Sequence, residues 1–138
     1  MTQSNTTVVA FPATCLIIED SDFDRERLTR VVKKTHNQMR IKAASTLRSA
    51  RRVLEMGDTT LILLDNNLPD GLGANFALEL AANPKLADIP IIMVSDWPSP
   101  FMWEKAASAG VAYVLSKTEF DGRYVHAALQ GKRPQRVS

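Results

Sequence analysis

The sequence predicts an α/β fold: a doubly wound, five-stranded parallel sheet with helices on both faces. Two observations carry the prediction. The first is a set of four short apolar runs, each ending in a polar or charged residue: CLIIED (Cys15 to Asp20), LILLDNNLP (Leu61 to Pro69), IIMVSD (Ile91 to Asp96) and YVLSK (Tyr113 to Lys117). Continuous apolar runs of this length mark central strands of a parallel sheet, buried on both faces. The second is that helix-like segments separate them, so strand and helix alternate five times along the chain. Ligands of such sheets bind at the carboxyl ends of the strands. That rule gathers Glu19, Asp20, Asp65, Ser95 and Lys117 at one rim. Carboxylates, a hydroxyl and an amine together suit a divalent cation and a phosphoryl group.

Each element follows from local signals. The first strand covers about Thr14 to Glu19, and a helix from about Phe23 to Thr35 follows, with Ser21 or Asp22 placed to cap it. Ile41 to Ala44 is a weak second strand. Ser45 or Thr46 caps the next helix, which runs to about Met56 and stops at Gly57. Leu61 to Asp65 is the third strand, and a helix from about Ala74 to Ala82 ends before Asn83-Pro84. Ile89 to Val94 is the fourth strand. Asp96 to Pro100 is a stiff loop, with Pro100 opening a helix that runs to Ala109 and ends at Gly110. Ala112 to Leu115 is the fifth strand and Phe120 to about Gln130 the fifth helix. Residues 1–13 read as a flexible lead-in, 14–131 as one domain and 132–138 as a basic tail.

Composition sets the outer limits. A chain of 138 residues is one domain by length, and a net charge of +2 is too small to imply a polyanionic partner. Basic residues nevertheless crowd between Arg25 and Arg52, where Glu26 is the single carboxylate. That stretch is either a solvated helical face or a docking surface for an acidic protein, with nucleic acid the weaker option. Cys15 is the one cysteine, so no intrachain disulfide forms, and a small buried residue fits its place in a strand. No apolar run approaches the roughly 18 residues a membrane span needs. No charged segment followed by an apolar one opens the chain, and a cytoplasmic location is expected.

With those residues in view, the chain resembles a response-regulator receiver domain of two-component signalling over about Cys15 to Gln130. Glu19-Asp20 looks like the family's metal-binding acidic pair, and Asp65, followed by Asn67, Pro69 and Gly73, like its phospho-accepting aspartate. Ser95 resembles its switch hydroxyl and Lys117 its lysine. The resemblance implies a flavodoxin-like sheet of order 2-1-3-4-5. It also implies Mg2+ as cofactor, held by Asp20, Asp65, Glu19 through water and the Asn67 backbone carbonyl. Asp65 would carry the phosphoryl group, Lys117 would pair with one phosphoryl oxygen, and Ser95 would donate to another. Each assignment has a plainer alternative: a helix cap for Glu19-Asp20, a turn acid for Asp65, a buried hydroxyl for Ser95, a solvated amine for Lys117.

Three residues depart from the family pattern. Asp96 follows the switch hydroxyl where a small residue is usual, which predicts slow phosphorylation or a short-lived product unless the charge points away; capping of the loop is the alternative. Val114 occupies the position of the usual switch aromatic, and its neighbour Tyr113 faces the other side of the strand. Thr118 stands where proline commonly follows the lysine. Trp97 would either shield the acyl phosphate or join Phe101, Met102 and Trp103 in an apolar partner patch.

The expectation is a stand-alone receiver that takes a phosphoryl group from a histidine kinase or histidine phosphotransfer protein. It would act on an unknown downstream protein by contact, with no DNA-binding domain and no membrane association. Beyond self-phosphorylation from donors and autodephosphorylation, it would not be an enzyme. The alternative is a pseudo-receiver that binds protein without phosphorylation. An aspartyl-phosphate phosphatase lacks the sequence for a cap, and dimerisation through the last two helices is left open.

Overall fold

The computed structural model describes residues 13–131. All but Ala13 of the expected lead-in, and the whole expected tail, lie outside that range. Twelve elements follow one another. They are β1 (Thr14–Ile18), α1 (Asp22–Thr35), β2 (Arg40–Ala44), α2 (Leu47–Leu54), β3 (Leu61–Asp65), β4 (Asn67–Leu68), β5 (Gly71–Leu72), α3 (Gly73–Ala81), β6 (Ile91–Ser95), α4 (Pro100–Ser108), β7 (Tyr113–Ser116) and α5 (Gly122–Leu129). The main sheet is ordered β2-β1-β3-β6-β7, with every neighbouring pair parallel. Leaving aside the β4–β5 hairpin, this is the expected order 2-1-3-4-5.

The apolar runs became strands because both of their faces are covered. All five residues of β1, of β3 and of β6 are buried. Side chains alternate across a strand, so each run feeds two cores. Leu16, Ile18, Ile62, Leu64 and Met93 pack with residues of α2, α3 and α4, while Cys15, Ile17, Leu63, Ile92 and Val94 pack with residues of α1 and α5. Each such side chain contributes about 1.5–3 kcal/mol on burial. Strand β2 at the sheet's edge exposes Arg40 and Ala43, which explains its weak signal.

Helix starts were set by side-chain caps. Ser21, Thr46 and Ser99 accept backbone N–H bonds at the heads of α1, α2 and α4. The fifth helix begins two residues later than its apolar pattern suggests. Asp121 caps it, and Phe120 instead plugs the core from the preceding loop. The β4–β5 hairpin was not foreseen. It turns through Pro69 and Asp70, and the Asp70 carboxylate then accepts the N–H groups of Leu47 and Arg48 at the head of α2.

Two close approaches draw the layers together. A Cβ on Gly73 would lie 2.2 Å from the Asp65 carbonyl oxygen, so only glycine lets α3 start this near the end of β3. A Cβ on Gly122 would lie 2.2 Å from Thr35 Oγ1, where α5 meets α1. The first of these fixes the backbone that carries Asp65.

Candidate functional site

The carboxyl ends of β1, β3, β6 and β7 bring the expected residues together. Glu19 follows β1 and is buried; Asp65 ends β3 and is buried; Ser95 ends β6 and is buried; Lys117 follows β7 and is buried. Asp20 is exposed at the mouth. Carboxylate oxygens of Glu19, Asp20 and Asp65 all lie within 4.8 Å of one another. Asn67 sits two residues beyond Asp65, at the start of β4, and its backbone N–H, with that of Asn66, faces the Asp65 carboxylate.

Lys117 is the centre of the charge arrangement. Its Nζ donates to Asp24 Oδ2 at 2.7 Å. It lies 2.8 Å from Glu19 Oε1, an ion pair without hydrogen-bond geometry. Asp65 Oδ2 and Asp96 Oδ2 are each 3.9 Å away. One ammonium thus faces four carboxylates, with Asp20 as a fifth acid at the mouth. The sequence reading did not single out Asp24. Its first-turn position on α1, above the strand ends, is what places it here.

Electrostatics follow from burial and crowding. Desolvation, helped by the Glu19 charge, pushes the Asp65 carboxyl up to about 7, against the pull of Lys117 and the two backbone N–H groups. Burial works to lower the Lys117 ammonium, but its contacts with Asp24 and Glu19 and the Asp65 charge outweigh that and hold it above the usual lysine range. A site with this excess of buried and half-buried carboxylate suits a hard divalent cation. The three clustered carboxylates have the oxygen chemistry that magnesium prefers, and magnesium keeps several waters. Asp20 and Asp65 are free to face such an ion. Glu19 is already engaged, with Oε1 against Lys117 and Oε2 accepting the Ser21 N–H at 3.0 Å.

The departures from the pattern resolve in part. Asp96 does not simply point away: its side chain is 66% exposed, yet Oδ2 reaches toward Lys117. The cap of α4 is Ser99, not Asp96. Val114 is buried among Met93, Met102 and Ala106, opposite Met93 in the sheet, while Tyr113 stacks edge-on against Tyr124 on the other face. Trp97 is 88% exposed and does not cover Asp65, so the resting structure offers no indole shield. Phe101 is also exposed, Met102 is core and Trp103 is half-buried. The apolar patch expected from that stretch therefore shrinks to Trp97 and Phe101. The Ser95 hydroxyl oxygen accepts the Trp97 N–H at 3.3 Å.

Fold and site together define a doubly wound α/β protein with a metal-competent acidic rim and a buried lysine beside it. The model of the response regulator receiver domain matches residues 15–130, and the chain belongs to that family. It is 28% identical over 102 residues to the two-component response regulator ORR8 of rice (Oryza sativa), covering 72% of this chain and 83% of that one. The receiver domain of a signal transduction histidine kinase from Syntrophus aciditrophicus superposes with a TM-score of 0.76 at 25% identity, over 91% of this chain and 97% of the other. The Mn(2+)-bound form of response regulator Rcp1 superposes with a TM-score of 0.68 at 26% identity, over 87% and 91% of the two chains. Among the described residues no helix is long and apolar enough to cross a membrane.

Proposed function

We propose that this receiver accepts a phosphoryl group on Asp65 from a histidine kinase or histidine phosphotransfer protein in the cytoplasm, and signals by protein contact. The observation that carries the reading is the placement of Asp65. It ends the central strand, within reach of Glu19 and Asp20, with the Lys117 ammonium 3.9 Å from its carboxylate. The Asp65 carboxylate oxygen attacks phosphorus, the donor's bond to phosphorus breaks, and its electron pair leaves with the donor. A magnesium ion bound by Asp20, Asp65 and the Asn67 carbonyl, with Glu19 through water, would neutralise repulsion between these carboxylates and the incoming phosphoryl group.

The chain's own groups complete the site. Lys117 supplies a point charge for a phosphoryl oxygen. Ser95 has its oxygen occupied by the Trp97 N–H, which leaves its own O–H to donate to another. Nothing in this chemistry acts on a separate substrate, so the protein is a phosphoacceptor with self-phosphorylation and autodephosphorylation as its only turnover.

Incubation with magnesium and a small phosphodonor, followed by intact mass, tests the reading. One added phosphoryl group on the wild type and none on Asp65→Asn supports it. No addition from small donors or from a panel of histidine kinases would refute it. That result would favour the pseudo-receiver, the reading that the buried Val114 in place of a switch aromatic supports.

A further inference from the structure

We infer that Asp24 is a positioning residue that holds Lys117 in a resting place and slows phosphoryl capture by Asp65, an inference that rests on the proposed phosphoacceptor role. Lys117 Nζ is 2.7 Å from Asp24 Oδ2 but 3.9 Å from Asp65 Oδ2. To bond a phosphoryl oxygen on Asp65 the ammonium needs a contact of about 2.8 Å to that oxygen. Its charge is already shared with Asp24 and Glu19, so the new contact is made in competition with the Asp24 hydrogen bond. Asp24 does not belong to the carboxylate cluster that could hold a cation, which comprises Glu19, Asp20 and Asp65. Its charge is directed at the lysine instead.

The surroundings fix Asp24 where it competes. Glu19 Oε2 accepts the Ser21 N–H at 3.0 Å, and Ser21 Oγ accepts the Asp24 N–H at 3.2 Å. Arg25, the next residue, donates from Nη1 to the Glu19 carbonyl at 3.1 Å. The first turn of α1 is thereby tied to the end of β1, and the Asp24 carboxylate is held against a lysine that is 7% exposed. A charge-assisted hydrogen bond in such a place is strong and short, and giving it up adds to the barrier of any step that needs the lysine elsewhere. The competition operates through Lys117. Asp24 itself need not touch the phosphodonor.

The test measures phosphorylation of the full chain by a small phosphodonor at saturating magnesium, read by intact mass, for Asp24→Asn and Asp24→Glu. Asp24→Asn keeps the backbone cap and loses the charge, and about tenfold faster phosphorylation is expected, the size of one charge-assisted hydrogen bond. Asp24→Glu should restore most of the slow rate. In a Lys117→Gln background the Asp24→Asn effect should vanish, whereas a simple field effect of one fewer carboxylate would persist. A double-mutant cycle on unfolding, read without phosphodonor, should show coupling between Asp24 and Lys117. A wild type that is phosphorylated at the same rate as Asp24→Asn overturns this inference alone, as does zero coupling in the cycle. Absence of phosphorylation in every variant, from the small donor and from a panel of histidine kinases alike, overturns the phosphoacceptor role and this inference with it.

Discussion

Asp65→Asn should make the metal-free protein more stable at pH 8, and the gain can be worked from the site. The folded protein holds the Asp65 proton with a pKa of about 7, against an ordinary 3.8, chiefly because burial penalises the charge and Glu19 repels it. Between those two values the folded state binds more protons than the unfolded state. Stability therefore falls as pH rises from about 4 to about 7, and is level above that. Roughly three pH units at about 1.4 kcal/mol each set a ceiling near 4 kcal/mol. Relaxation and water entry bring the realistic figure to about 2 kcal/mol.

Asn keeps the shape and the acceptor for the Asn66 and Asn67 N–H groups while removing the charge. Urea unfolding in EDTA at pH 4.5 and pH 8 is the assay. The expected result is a gain of about 2 kcal/mol at pH 8 that shrinks to about 0.5 kcal/mol at pH 4.5. Magnesium at pH 8 should stabilise the wild type and close most of the gap, with little effect on Asp65→Asn. A variant no more stable than wild type at pH 8, or a gain independent of pH, would refute the argument that Asp65 is a strained buried charge.

Three further outcomes are expected. Gly73→Ala should cost about 3 kcal/mol or more, because its Cβ would collide with the Asp65 carbonyl at 2.2 Å and backbone must move; thermal unfolding measures it. Lys117→Met should destabilise the metal-free protein by about 3 kcal/mol at pH 8, since it leaves Glu19 buried without its ion pair, and magnesium should recover part of the loss in the same unfolding assay. Cys15 is fully buried with its thiol pushed up to about 12, so iodoacetamide at pH 8 should label it only as fast as the protein opens, and rapid labelling of the native state would contradict its place in the core.

How much could be read from the chain depended on whether a signal was local. The parallel sheet was legible because strands buried on both faces leave unbroken apolar runs, as in Leu61 to Leu64 and Ile91 to Val94. Glu19, Asp65, Ser95 and Lys117 were legible as a group because each closes such a run, and a parallel sheet sends all those ends to one edge. The β4–β5 hairpin was not legible, since two-residue strands carry no periodicity and only the Asp70-Gly71 pair hinted at a turn. The late start of α5 was hidden because Phe120 fits a helix pattern equally well, and only its packing in the core excludes it. Asp24 was hidden for the opposite reason. Asp20, Asp22, Asp24 and Glu26 alternate through the first turns after β1, and nothing local tells which of them meets a lysine 93 residues away.

The exchange at Lys117 also bears on how a phosphorylated Asp65 would be sensed. A relay from hydroxyl to aromatic needs a ring that can change sides, and here the position holds Val114, locked in the core beside Met93. Ser95 alone transmits little, because its oxygen can keep the Trp97 N–H while its proton goes to the phosphoryl group. The lysine differs, as a short contact to a new anion competes with the one it holds to Asp24. Weakening of that contact leaves a half-buried carboxylate less well paired at the head of α1, next to Ser21, whose hydroxyl caps that helix, and to the exposed Phe23. On the proposed mechanism the first turn of α1 therefore changes with phosphorylation while the Val114 side of the sheet stays as it is. Hydrogen exchange with and without a phosphoryl mimic should place the largest difference in residues 21–26, and a difference confined to α4 and β7 would contradict this route.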